Sequence, residues 1–194
     1  MAMTKTAFRL VITAGVVAPR DDRRDTDCFA RLVRGDRSAL SDLYDMHAAS
    51  LFRHGLALTR RPGEAEDLVQ AVFLKLATTG APLLAVRKPA NYLHRILHAA
   101  WIDSQRRPAA ANETAIGAND EFIGQESQSQ VESAIDVTRA LGALPAAQRQ
   151  AVQLHLIEGF SFREAGRIAG VSMFTAASRY RAALERLRTL LGKR

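Results

Sequence analysis

The chain has 194 residues, 47% of them hydrophobic, and a formal net charge of +7. That apolar share is enough to bury a core, but no run of 18 or more apolar residues occurs, which excludes a membrane-spanning helix. A single cysteine, Cys28, excludes an intramolecular disulfide framework and leaves no cysteine set for structural zinc, so a reduced, cytoplasmic compartment is expected.

In chain order, Lys5 and Arg9 precede a short apolar run from Leu10 to Ala18, faintly like a secretion signal. The run is barely long enough and the charged stretch Arg20 to Arg24 follows it, so residues 1–26 are expected to be an irregular N-terminal extension. Asp27 to Val33 reads as a short helix stopped by Gly35. Ser38 is placed to cap a long helix to about Thr59, with Leu40, Leu43, Tyr44, His47, Leu51 and Phe52 on one stripe. Arg61-Pro62-Gly63 breaks the pattern. From Glu64 to about Ala77, the residues Ala65, Leu68, Val69, Val72, Phe73 and Leu76 recur at helical spacing. A loop from Thr78 to Lys88 follows, then a helix from Ala90 to Arg107 that buries Leu93, Ile96, Leu97 and Ala100 and stops at Pro108. Residues 108–133 are small, polar and acidic, which is linker composition.

The last block has the sharper pattern. Pro145 opens a helix with Ala151, Val152, Leu154, His155 and Leu156, which ends at Glu158-Gly159. Ser161 caps a short helix from Phe162 to Ala169, Gly170-Val171-Ser172 turns the chain, and Met173 to Leu191 forms a longer helix. Its expected core stripe is Met173, Ala176, Ala177, Tyr180, Leu184, Leu187 and Leu191. This is a helix-turn-helix, with Ala165 small enough for the two helices to approach. Opposite the stripe stand Thr175, Ser178, Arg179, Arg181, Arg186 and Arg188. Side chains near the start of such a helix can reach base edges, and later arginines suit phosphates.

Charge is distributed in blocks. Residues 1–26 carry five basic and three acidic side chains, a net of +2. Residues 27–107 carry twelve and eight, a net of +4. Residues 108–138 have six acids and no Lys or Arg, and residues 139–194 have ten basic and three acidic side chains, a net of +7. Two basic modules on an acidic tether suit a polyanionic partner.

Glu64-Ala65-Glu66-Asp67-Leu68-Val69-Gln70-Ala71-Val72-Phe73-Leu74 resembles the core of sigma region 2, usually D-A-E-D-L-V-Q-E-V-F-L. Leu144-Pro145 through Arg188 resembles sigma region 4, with Glu158 to Ala165 and Thr175 to Arg181 matching its helix-turn-helix. Both motifs in this order, without the other sigma regions, resemble the extracytoplasmic-function (ECF) type of the sigma-70 family. The implied fold is all-α: a region 2 bundle over 27–107 and a region 4 helix-turn-helix over 139–194, joined by a flexible acidic linker over 108–138. The implied function is that of an RNA polymerase specificity subunit and not an enzyme, with no cofactor and no metal. Its partners would be core RNA polymerase and promoter DNA, and an anti-sigma protein is a further partner the family commonly has.

The resemblance places Asp67, Gln70 and Leu74 on the polymerase clamp. Arg95, His98, Arg106 and Arg107 would hold the melted −10 strand, where bound bases are stacked and the backbone is neutralised. Ser172, Thr175, Ser178, Arg179, Arg181 and Arg188 would meet the −35 element. Several positions depart from the family's usual residues: Ala71 for a common glutamate, Ala99 for a common asparagine, Tyr92, Trp101, and a bulky Phe174 at the head of the reading helix.

Other chemistries fit less well. Glu64, Glu66 and Asp67 could be a metal or hydrolytic cluster, but acids in a first helical turn are stabilised by the helix dipole. His94 and His98 have the i, i+4 spacing of a zinc pair yet lack a third ligand nearby, and the sigma resemblance makes them solvent- or DNA-facing. Trp101 suits core or domain-edge packing better than base stacking. An ordinary operator-binding regulator would explain the second block alone, and a helical hydrolase with Glu64, Glu66 and His94 would explain neither the motif order nor the charge layout.

Overall fold

The computed structural model describes residues 21–106 and 137–192 of the chain; all regular structure among them is helical. α1 spans Asp22–Val33, α2 Ser38–Thr59, α3 Pro62–Thr79 and α4 Pro89–Arg106, with a 3-10 turn over Ala81–Ala85. Residues 137–142 are helical, followed by α5 Ala146–Val152, a π-helical turn Gln153–Ile157, α6 Phe162–Ile168 and α7 Met173–Leu191.

α1 begins five residues before the expected Asp27, because the Asp21 carboxylate accepts hydrogen bonds from the amides of Arg23 and Arg24 and so caps an earlier start. At the head of α2, Ser38 does not cap. The Asp36 carboxylate accepts from both the amide and the hydroxyl of Ser38, at 3.0 and 2.7 Å. α3 starts at Pro62, within the expected break, since proline at the first helical position sacrifices no intrahelical hydrogen bond.

The first core joins Phe29 from α1, Leu43 and Leu51 from α2, Leu68, Val72, Phe73 and Leu76 from α3, Leu83 from the 3-10 turn, and Leu93 and Leu97 from α4. Each comes from one stripe of its helix, so the four amphipathic faces close on one another. Cys28 is buried in this core, and burial pushes its thiol pKa up. Tyr44, expected on the buried stripe, is half exposed, its ring tilted against Phe73 at 4.9 Å.

The second half has two smaller clusters. One holds Ala140, Leu144 and Val152 against Ala183 and Leu187 of α7. The other holds Leu154, Phe160, Ala165, Ile168 and Ala176, and it takes in Ala90 from α4. The two blocks, expected to stand apart on a tether, therefore pack on each other. The expected linker up to residue 136, and the N-terminal extension up to residue 20, lie outside the described residues.

Candidate nucleic-acid interface

The helix-turn-helix is fixed by local chemistry. The Ser161 hydroxyl accepts from the Glu164 amide and the Glu164 carboxylate accepts from the Ser161 amide, a reciprocal capping box. The same carboxylate receives Lys88 from the loop before α4 at 2.5 Å. Burial alone would raise the Glu164 pKa, but the hydrogen bonds from Lys88 and Ser161 outweigh it and hold it at about 2. Two glycines make the turn. Gly170 has φ +64°, a left-handed conformation that side chains disfavour. At Gly166 an added Cβ would lie 2.8 Å from the Val171 carbonyl oxygen, so α6 packs tightly on the turn at this residue, next to buried Ala165.

Ser172 caps α7, accepting from the Thr175 amide at 3.0 Å, and the two hydroxyls lie 2.9 Å apart. Ser172, Phe174, Thr175, Ser178, Arg181 and Arg188 are exposed. Phe174, 76% exposed, is the most open of the large apolar side chains among the described residues. Arg179 is only half exposed and lies close enough to His98 of α4 to disfavour protonation there. The buried stripe of α7 matches expectation at Ala176 and Leu187, with Tyr180 and Leu191 packed beside it, and departs from it at two positions. Ala176, Ala183 and Leu187 are buried, whereas Met173 is exposed. The close crossing of α5 and α7 takes the small Ala183 into the core, and a pattern read from bulky residues passes over it.

On α3, Asp67, Gln70 and Leu74 are exposed on the side opposite Leu68, Val72 and Leu76, with i, i+3 and i+7 spacing. On α4, Arg95 and Arg106 are exposed, and the Arg95 guanidinium lies over the Tyr92 ring at 5.7 Å. Arg107 lies outside the described residues. Trp101 packs at the edge of the first core with its ring 5.4 Å from His98.

The histidines of α4 depart from expectation. His94 is buried, at 2% exposure, and His98 is half-buried, because the second block covers this face of α4. Gln150 of α5 bridges His54 of α2 and His98, its amide nitrogen 3.1 Å from His54 Nε2 and 2.8 Å from His98 Nδ1. His54 Nδ1 lies 3.0 Å from His94 Nδ1, and His94 Nε2 lies 3.1 Å from the Ser50 hydroxyl. Ser50 donates to Glu158 Oε2 at 2.5 Å, while Arg53 and Gln153 donate to Glu158 Oε1 at 3.1 and 2.9 Å. Beside this chain, buried Arg149 donates to the carbonyl oxygens of Ala57 and Leu144. Burial first, and then the neighbouring His98, pushes the His54 pKa down to about 3; burial and then Arg179 lower that of His98. Sequence reading passed over His54, Gln150 and Glu158 as site residues, since their partners lie 40 to 108 positions away.

A family model for Sigma-70 region 2 matches residues 43–110, and one for Sigma-70, region 4 matches residues 134–187. The ECF RNA polymerase sigma factor SigM of Mycobacterium tuberculosis (strain ATCC 25618 / H37Rv) is 35% identical over 173 residues, covering 89% of this chain and 87% of the relative. The chain belongs to the ECF RNA polymerase sigma factors. SigE of Mycolicibacterium smegmatis is a further ECF relative of this sigma factor, 28% identical over 91% of this chain and 71% of its own. Two solved structures share the fold. CnrH in complex with the cytosolic domain of CnrY has a TM-score of 0.59 at 22% identity, covering 87% of this chain and 97% of that one. RpoE in complex with the anti-sigma factor NepR from Bartonella quintana has 0.60 at 24%, covering 78% and 98%. No helix among the described residues of the sigma factor is long and apolar enough to cross a membrane. Among them no group of three or more His, Cys, Asp or Glu is arranged to hold a metal.

Proposed function

We propose that this sigma factor directs core RNA polymerase to a set of promoters and starts transcription there, acting in the cytoplasm and without catalysis of its own. The observation that carries the reading is the pair of sigma regions on one chain, each with an exposed face opposite its core. Asp67, Gln70 and Leu74 of α3 dock on polymerase. Arg95 and Arg106 of α4, with Arg107 beyond it, hold the melted −10 strand, and Ser172, Thr175, Ser178, Arg179, Arg181 and Arg188 serve the −35 element. His98 joins the −10 contacts only when the second block moves off α4. Binding energy does the work, favouring the opened strand over the duplex.

An anti-sigma protein is a further partner of this reading, supported by the fold shared with RpoE, whose structure holds the anti-sigma factor NepR. Runoff transcription with purified core polymerase tests the function. The chain should yield promoter-specific transcripts and bind promoter DNA weakly when polymerase is absent. Tight operator binding by the chain alone, with no transcript, would make it an ordinary regulator.

A further inference from the structure

We propose that the contact between the two halves of this sigma factor is a proton-sensitive latch, closed while His54, His94 and His98 are neutral and released when they are protonated. The argument starts from counting protons along the chain from Glu158 to His98. Ser50 spends its one proton on the Glu158 carboxylate, so its oxygen accepts from His94 Nε2. Neutral His94 then has a bare Nδ1, which accepts from His54 Nδ1. Neutral His54 has a bare Nε2, which accepts one proton of the Gln150 amide; the other goes to His98 Nδ1. Every bond is satisfied in one direction, and that direction requires all three rings neutral.

With the Gln150 amide held this way, a proton added to any ring puts two donors face to face. On His94 the clash is with His54, on His54 with Gln150, and on His98 again with Gln150. Turning the Gln150 amide so that its oxygen faces His54 and His98 lets a protonated His94 donate to both His54 and Ser50, which removes the clash. The added charge is then enclosed among rings that are 0% (His54) and 2% (His94) exposed. The other charges around the chain do not offset that burial. Arg179 of α7 and Arg149 of α5 are cationic, and the Lys88–Glu164 pair sits at the rim with its carboxylate pKa at about 2. Of the two remaining histidines, His47 lies against Asp25, and the His155 ring is stacked on Phe162 within the second half.

The lowered pKa values of His54 and His98 agree with this geometry and fix the sign. Once the halves part, the rings meet water and return toward the ordinary value of about 6.5. Closure is therefore fully favoured above that pH. It weakens as the pH falls below it, by up to about tenfold in the closed-to-open ratio per pH unit for His54 and for His98. The Glu164 carboxylate titrates far lower, outside this window. What opening would release, the face of α4 now covered by α5 and α6, rests on the promoter reading above. The opening itself does not, and its test needs neither polymerase nor DNA.

The test is small-angle X-ray scattering on the full chain at pH 8 and pH 5.5, with helicity followed by circular dichroism in the same samples. The expected result is a compact particle at pH 8 and a larger radius of gyration at pH 5.5 with helicity unchanged. Gln150→Glu places a negative charge beside the protonated rings, so this variant should stay compact at pH 5.5. A double His54→Gln, His98→Gln variant should show a much smaller change in radius between the two pH values. A wild-type radius that is the same at both pH values overturns the proposal. So does expansion accompanied by loss of helicity, a Gln150→Glu variant that opens like the wild type, or a double variant that keeps the full wild-type response.

Discussion

At the scale of single residues, α7 sorts its side chains by depth. Phe174, Thr175 and Ser178 stand at the N-terminal end, where a helix in the major groove meets base edges, while Arg188 is four turns further on. A phenyl ring as exposed as that of Phe174 suits the methyl group of a thymine, a contact that depends on sequence and not on salt. Arg188 suits a phosphate, a contact that releases a counterion whatever the sequence. Phe174→Ala should therefore change the preferred base at one −35 position and leave the salt dependence alone. Arg188→Ala should weaken binding evenly across −35 sequences and lower the slope of log affinity against log salt by about 1. Holoenzyme binding to a panel of −35 variants at several salt concentrations checks both, and exchanged behaviour would reverse the placement of the helix. Arg179, one of the residues the family resemblance places at the −35 element, is half exposed and beside His98, so it is less available while the halves are closed.

At the scale of elements, two predictions separate folding from function. Gly166→Ala should destabilise the helix-turn-helix, since its Cβ would press on the Val171 carbonyl at the centre of the turn. Overpacking of this kind costs about 1–3 kcal/mol, which a thermal melt would register as a lower midpoint. By contrast, the double variant Asp67→Ala, Gln70→Ala lies on an exposed face of α3 and should melt with the wild type. It should bind core polymerase more weakly, by about 1–3 kcal/mol, as truncated contacts at interface hot spots do. Wild-type affinity for core polymerase in a correctly folded double variant would remove α3 from that interface. These elements differ in how legible they were. α3 was readable because large apolar residues mark its buried face at an unbroken helical period, and every one of Leu68, Val72, Phe73 and Leu76 is buried. The stripe of α7 was read in part: Ala176 and Leu187 are buried as expected, but fully buried Ala183 was missed, since alanine gives little signal in a hydropathy pattern. α1 was shortened because Asp21 was taken as part of a charged run, when its carboxylate serves two amides as a cap. Neither Ala183 nor Asp21 is unusual in type; what matters is the neighbour each one meets.

At the scale of the whole molecule, the closed arrangement does not fit the proposed placement of the two halves on a promoter. Elements named −10 and −35 lie about 25 base pairs apart, about 85 Å of duplex at its usual rise. Here α4 and α6 share one core cluster with Ala90, Ala165 and Ile168, so under the proposed assignment of α4 to the −10 strand and α7 to the −35 element the halves would have to part. The thirty residues from 107 to 136 could span up to about 100 Å if fully extended, enough to allow it. Such a contact within one chain was not legible in the sequence. A histidine on an amphipathic helix looks the same whether it faces water or a glutamine 96 positions away. The closed form has a consequence for cleavage. The small, polar, acidic sequence from Pro108 to Gln130 is expected to be the first site cut by a protease at low dose. The two fragments should then elute together on gel filtration at pH 8, because the Ala90 cluster and the chain from Glu158 to His98 hold them without the tether. Added core polymerase should capture the N-terminal fragment and leave the C-terminal one free to separate, since the covalent link that raised its local concentration is gone. Fragments that elute apart at pH 8 would mean that the contact between the halves is too weak to matter without the chain connecting them.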